Sequence, residues 1–338
     1  MGEIFRDSYH QRSMRLNILP ALCELTVAAV RCISPASADD ISSTVATMLI
    51  RCLKETDCPV TGHFAAKTVE NIMACDRSAS ANPMLRRFLT TEVVEQIWHL
   101  FSSCTSDALK ITSSLALCRM LIHDPAIIGP LVEIVALAGI LDPLISSQSA
   151  RVHQSLITML CVALTRIPKL STLKEVLDAL LFEMEHSSAI IRSKAYIGFS
   201  LIVRNNPEML MYCTQSRLST HLERDFHKAV STATKHEYLE HGVAAAVASL
   251  VELPTKLNKL AIDVLKAVSL KQHPTTQQTK QLNAALPGIA VVAYLVSCSL
   301  IRQQVIDYAF ICKTTFLCHF SYTQRSNFQV IWWNLQML

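Results

Sequence analysis

Ala65-Ala66-Lys67-Thr68-Val69-Glu70-Asn71-Ile72-Met73 places Ala65, Val69, Ile72 and Met73 at the i, i+4, i+7, i+8 spacing of one helical face, with Lys67, Glu70 and Asn71 turned the other way. The leading small residue lets such a helix approach a neighbour closely, while the larger residues that follow fill the shared core. The arrangement recurs, with substitutions, along the chain. Ala21-x-x-x-Leu25-x-Val27-Ala28 precedes it, and Ser113-x-x-x-Leu117-x-Arg119-Met120, Ser155-x-x-x-Met159-x-Cys161-Val162, Ala195-x-x-x-Phe199-x-Leu201-Ile202 and Ala261-x-x-x-Leu265-x-Ala267-Val268 follow. By subtraction the leading residues are 44, 48, 42, 40 and 66 positions apart. Four of these steps fall near the ~40 to 47 residues of armadillo and HEAT repeats. The long last step spans the polar segment 214–237, which reads as an insertion, either a loop or an extra helix.

Outward from this template the pattern stays helical. Ile41, Val45, Met48, Leu49 and Cys52 form another stripe, which Asp39 or Asp40 can cap, and Ile191-Arg192-x-x-Ala195 has the look of a HEAT-type inner helix start. Further apolar runs predict helices over 91–102, 107–122, 127–141, 150–167, 173–184, 189–204, 238–252, 256–270 and 287–301. Ser34-Pro35, Cys58-Pro59, Asn82-Pro83, Asp124-Pro125, Ile167-Pro168, Asn206-Pro207, Leu253-Pro254 and His273-Pro274 separate them. The expected fold is therefore all-α: an α-solenoid of armadillo/HEAT-type repeats, a right-handed superhelix of roughly a dozen helices. Residues 1–15 read as an N-terminal segment or partial helix, 16–306 as the solenoid, and 307–338 as an aromatic-rich tail, either a poorly ordered end or sequence not belonging to the solenoid.

Composition narrows the function classes. Apolar residues make up 51% of the 338, ample for a continuous core, and only 17% are charged against a typical ~25%. The balance of 31 Lys and Arg against 27 Asp and Glu leaves +4, with the two signs interspersed, so neither nucleic acid nor an anionic membrane is the expected partner. The 12 cysteines lack any C-x-x-C pair and lie among apolar neighbours, which reads as reduced core residues and a cytoplasmic location. Between Lys280 and Arg302 there is no charge, yet Pro287-Gly288 and Ser297-Cys298-Ser299 interrupt the stretch 284–301, so a buried helix is favoured over a membrane span.

No constellation for catalysis stands out. His236 and His241 are at i and i+5 and diverge on a helix, where a zinc protease needs i and i+4. Gly129 and Gly139 are the nearest glycine pair, ten residues apart, so no phosphate-cradling loop exists. Arg224-Asp225-Phe226 is followed by His227, not glycine, and reads as a charged helix face. No catalytic residue, cofactor or metal is expected. Arg192, Lys194, Arg204, Arg217 and Arg224 form a broken basic stripe, interrupted by Glu208, Glu223 and Asp225, that reads as a solvated face. Of these, Arg192, Lys194, Arg217 and Arg224 are the candidate partner-binding surface.

Several blocks carry a family likeness. They are Leu16 to Arg31, Asp107 to Thr112 with Ala116 to Arg119, Ile191 to Ala195 with Glu208 to Leu210, Gln215 to Leu218 and Glu223 to Asp225, and His273 to Thr276 running on to Arg302-Gln303-Gln304-Val305. From Leu16 to Val305 the chain resembles the C-terminal armadillo/HEAT repeat region of the Unc-51-like serine/threonine kinase family, in its fourth, pseudokinase branch. The kinase-like domain with which that family begins has no counterpart in these residues. The resemblance implies a non-catalytic scaffold that binds protein partners, including cytoskeletal or ciliary ones, with roles in microtubule organisation, cilia and neurite growth. The alternative it leaves is a fragment of an active serine/threonine kinase polypeptide. It also implies association with the cytoskeleton or the cilium within the cytoplasm.

Overall fold

The computed structural model describes residues 2–32, 39–55, 58–75, 83–127, 137–206, 209, 212, 217–231, 237–250 and 276–277. The expected helices over 256–270 and 287–301, the template at Ala261, the apolar stretch 284–301 and the tail 307–338 lie outside these residues. Among the described residues every regular element is helical. The chain divides into two compact units, Met1–Ala179 and Leu180–Leu338.

The first unit contains α1 (Gly2–Asp7), α2 (Arg12–Cys32), α3 (Asp39–Lys54), α4 (Pro59–Cys75), α5 (Pro83–Phe88), α6 (Thr91–Ser103), α7 (Asp107–His123), α8 (Leu137–Ser146) and α9 (Ala150–Arg166). A 3₁₀ turn, Pro168–Thr172, leads to α10 (Lys174–Glu183), which runs across the boundary. Local chemistry sets the ends. Pro59 opens α4 where its missing N–H has no partner to lose. Thr90 caps α6 by accepting from the Val93 amide, and Asp107 places a carboxylate in the first turn of α7. Asp124 closes α7 by donating its N–H to the Met120 carbonyl, just before Pro125. Buried Ile140, Leu141 and Leu144 carry α8 to Ser146, past the expected end at 141.

The template helices pack in sequence, α2 on α4, α4 on α7 and α7 on α9, while α3 packs on α4, α6 on α7 and α8 on α9. That is the arrangement of stacked repeats. Ala65, Val69 and Ile72 in α4, Ser113, Leu117 and Met120 in α7, and Ser155 and Met159 in α9 are all buried. α7 is buried almost all round because it lies between two other members of the ladder and α6. Polar small residues remain cheap at these contacts when they bond within their own helix: Thr68 donates to the Phe64 carbonyl and Ser155 to that of Val152. Along α3, Val45, Met48, Leu49 and Cys52 are buried as the stripe predicts.

The expected register in α2 is corrected. Leu25 is 52% exposed and Ala28 also faces out, whereas Leu19, Leu22, Cys23, Thr26 and Val27 are buried. Cys23, not Ala21, takes the position of the small leading residue. Its Sγ lies 3.8 Å from the Phe64 carbonyl oxygen of α4. Alanine and cysteine are both small enough to lead the template, so only the packing distinguishes the two registers. By length and composition α2 is also apolar enough to cross a membrane, and a third of that window is buried in the packing.

The second unit holds the end of α10, then α11 (Ala189–Asn205), α12 (Leu218–Ser231) and α13 (237–250). The polar segment near 214–237 contributes α12, so much of it is helix. α13 approaches α11 at Gly242, where an added Cβ would stand 2.5 Å from the Ser193 carbonyl oxygen and 2.7 Å from its Cα. Ser193 Oγ donates to the Tyr238 carbonyl across the same contact. Backbone on the opposing helix cannot rotate away as a side chain can. Gly242→Ala is therefore expected to cost about 1–3 kcal/mol, read as a lower denaturant midpoint, and an unchanged midpoint would show that the helices do not meet there.

Candidate functional site

A cavity of about 540 Å³ opens where the turn before α2, the first turn of α2 and the last turn of α3 converge. Its wall is largely basic. Arg12 and Arg15 lie three residues apart at the start of α2, and Arg51 and Lys54 are likewise spaced at the end of α3, so each pair shares one helix face. Tyr9 anchors the centre. It is buried, meets the Phe5 ring edge-on at 5.7 Å, and carries the Arg51 guanidinium 3.9 Å from its ring centroid, with Arg15 at 5.0 Å.

Glu55 is the one acid in the wall, and both its oxygens are engaged. Oε1 is 2.8 Å from Arg15 Nη1, while Oε2 accepts from the Tyr9 hydroxyl. Burial and this bond to Glu55 push the Tyr9 phenol well above its ordinary range, so the hydroxyl remains a neutral donor. Arg15 is only 6% exposed, and its Nε has no hydrogen-bond partner. Lys54 reaches 2.5 Å from Glu92 at the surface. The arrangement is an oriented set of cations around an aromatic floor, suited to holding an anionic group.

Of the residues expected as a partner surface, Arg192 and Arg224 are drawn into a cluster around Asp225. Arg192 is buried: its Nε donates to Asp225 Oδ2 at 3.0 Å, and its Nη1 donates to the carbonyls of His186 and Ser187, each at 2.9 Å. Arg224, half-buried, donates to both oxygens of Asp225 and, at 2.7 Å, to the Met184 carbonyl. Tyr196 adds a fourth bond at 2.9 Å. Asp225 is wholly buried rather than part of a solvated helix face. Burial alone raises its pKa, but the hydrogen bonds from Arg224 and Tyr196 and the charge of Arg192 outweigh it and hold the carboxyl below the usual range.

Arg192 and Arg224 are thus joined to each other through Asp225, and they tie the turn before α11 to α11 and α12. Lys194 is half-buried, and Arg204 and Arg217 are exposed. The helical period carried a signal for Arg192: with Tyr196, Phe199 and Val203 it follows i, i+4, i+7, i+11 on the buried face of α11. Of the histidine pair, His241 is exposed, and His236 lies outside the described residues.

These elements define an armadillo/HEAT-type α-solenoid. An engineered protein of known crystal structure matches over 86% of this chain and 67% of its own length, with a TM-score of 0.57 and 15% identity. Computationally designed armadillo repeat proteins for modular peptide recognition match over 73% of this chain and 98% of theirs, at a TM-score of 0.56 and 15% identity. In sequence, the family described as serine/threonine-protein kinase ULK4-like, HEAT repeats, matches residues 255–331. Serine/threonine-protein kinase ULK4 of Mus musculus is 30% identical over 321 residues, which cover 92% of this chain and 24% of the mouse protein. The chain resembles the HEAT/armadillo repeat region of ULK4 and spans about a quarter of that relative's length.

Proposed function

We propose that this chain is a non-catalytic scaffold that holds protein partners, and that it acts in microtubule organisation, cilia and neurite growth, in the cytoplasm and in association with the cytoskeleton or cilium. The observation that carries the scaffold reading is the ladder α2–α4–α7–α9, since stacked repeats build an extended surface that binds polypeptide without special chemistry. The likeness to designed armadillo proteins named for peptide recognition supports it. The narrower cellular roles rest on the resemblance to the Unc-51-like family.

Reciprocal co-purification under cross-linking tests the scaffold. One protein should return in near-stoichiometric amount and rebind the purified chain; recovery of the chain alone would sink the reading. Saturable binding and turnover of an ATP analogue would overturn its non-catalytic part. Failure to sediment with stabilised microtubules, alone or with the recovered partner, would remove the microtubule role and leave the scaffold.

A further inference from the structure

We propose that the cavity around Tyr9 receives the phosphoryl group of a phosphorylated serine or threonine on a partner polypeptide. The proposal rests on the scaffold reading and names the chemistry of the partner.

Charge sets the class of ligand. Arg12, Arg15, Arg51 and Lys54 bring four positive charges, and Glu55 and Glu92 return two, leaving two by subtraction. A phosphoryl ester carries about −1.5 to −2 near neutral pH, which matches that remainder better than a single carboxylate does. The anchoring of Glu55 matters here. Both its oxygens lie on Arg15 Nη1 and Oε2 also accepts from Tyr9, so the wall's own acid is held at Arg15 and leaves Arg12 and Arg51 unengaged.

Geometry then presents the donors. The Arg51 guanidinium lies over the Tyr9 ring, 3.9 Å from its centroid, and arginine N–H groups suit bidentate binding of phosphate. Among the described residues, neither Arg12 nor Arg51 makes a hydrogen bond or ion pair. Arg15 also lines the cavity, with its side chain 8% exposed and its Nη1 held by Glu55 and the Tyr9 carbonyl, and it adds positive charge to the wall. About 540 Å³ accommodates a phosphoryl group together with the residues that flank it on a peptide.

A phosphopeptide fits better than a lipid surface. Glu3 and Asp7 are exposed on α1, and Glu92 is exposed on α6, and both helices adjoin the cavity by packing on α2 or α3. A flat anionic bilayer would meet those carboxylates as well as the arginines, whereas one phosphoryl group entering the cavity does not.

Fluorescence anisotropy on the full chain tests this with a degenerate phosphoserine/phosphothreonine peptide library and its unphosphorylated twin. The phosphorylated library should bind at least about ten-fold tighter, and the difference should shrink as salt is raised. Arg12→Ala/Arg51→Ala should remove the preference, and Arg51→Lys should lose part of it because an ammonium lacks the fork. If the double variant melts early, Arg12→Glu alone, on an exposed side chain, should still weaken the phosphorylated library. Equal binding of the two libraries, or a preference that survives these variants, would overturn the proposal and leave the scaffold intact. So would tight binding of phosphoinositide vesicles without phosphopeptide binding. A chain that binds neither library and also co-purifies with nothing would instead remove the scaffold reading itself.

Discussion

Asp225→Ala is expected to lower stability by about 3–5 kcal/mol, because it strands Arg192 in the interior without its counter-charge. Asp225 is wholly buried and accepts from Arg192, Arg224 and Tyr196, while Arg192 is buried against the turn at His186 and Ser187. Removing the acid leaves Arg192 Nε and the Tyr196 hydroxyl without their partner. Asp225→Asn keeps the shape and loses the charge, so it should fall between wild type and Asp225→Ala. Equilibrium denaturation of the three proteins measures the order. An alanine variant within about 0.5 kcal/mol of wild type would mean that the cluster does not form.

The same cluster predicts a pH dependence. The folded pKa of Asp225 lies below its unfolded value, so its contribution is complete above the ordinary aspartate pKa of about 3.9 and is lost as pH falls through the lower folded value. His221 on α12 acts earlier. Burial, then the nearby Arg224 charge, depress its pKa, so the unfolded chain takes up a proton first and stability begins to fall below about 6.5. Two acid steps are expected, and Asp225→Asn should abolish the lower one. Persistence of both steps in that variant would assign the lower one to another carboxylate.

Leu117→Ala is the second large effect, expected at about 2–5 kcal/mol. Leu117 is buried in α7, the helix that packs on α4 on one side and α9 on the other, so a cavity there has neighbours on both sides that cannot collapse together. In a stacked array each helix stabilises its neighbours, so the loss should appear as a lower denaturant midpoint across the first unit. Leu25→Ala is the paired control. It lies at the same template position by sequence, but its side chain is exposed, and it should change the midpoint by no more than about 0.5 kcal/mol. Equal effects at 117 and 25 would contradict the register of α2.

That contrast locates how far the sequence could be read. The helices of α3, α4, α6, α7, α9 and α11 were legible because their apolar residues repeat with the helical period and prolines and polar caps mark their ends. The repeat was legible from the small residue that leads each inner helix, where the template predicts burial at 65, 113, 155 and 195, and those positions are buried. In α2 it misled, because Ala21 and Cys23 satisfy the template equally and spacing alone carries no information about which faces α4. Arg192 was misread for a related reason: charge suggested solvent, while its period matched Tyr196, Phe199 and Val203.

The cavity around Tyr9 had no signature of that kind. Arg12 with Arg15, and Arg51 with Lys54, are ordinary i, i+3 pairs, and Tyr9 and Glu55 are 46 residues apart. Local periodicity determines which residues share a helix face, and so the sequence by itself determined the helices and the stacked class of fold. Tertiary structure decided which faces meet and which charges are buried, because both depend on contacts between residues far apart in the chain. It joined Asp225 to Arg192 and brought the ends of α2 and α3 around one aromatic ring.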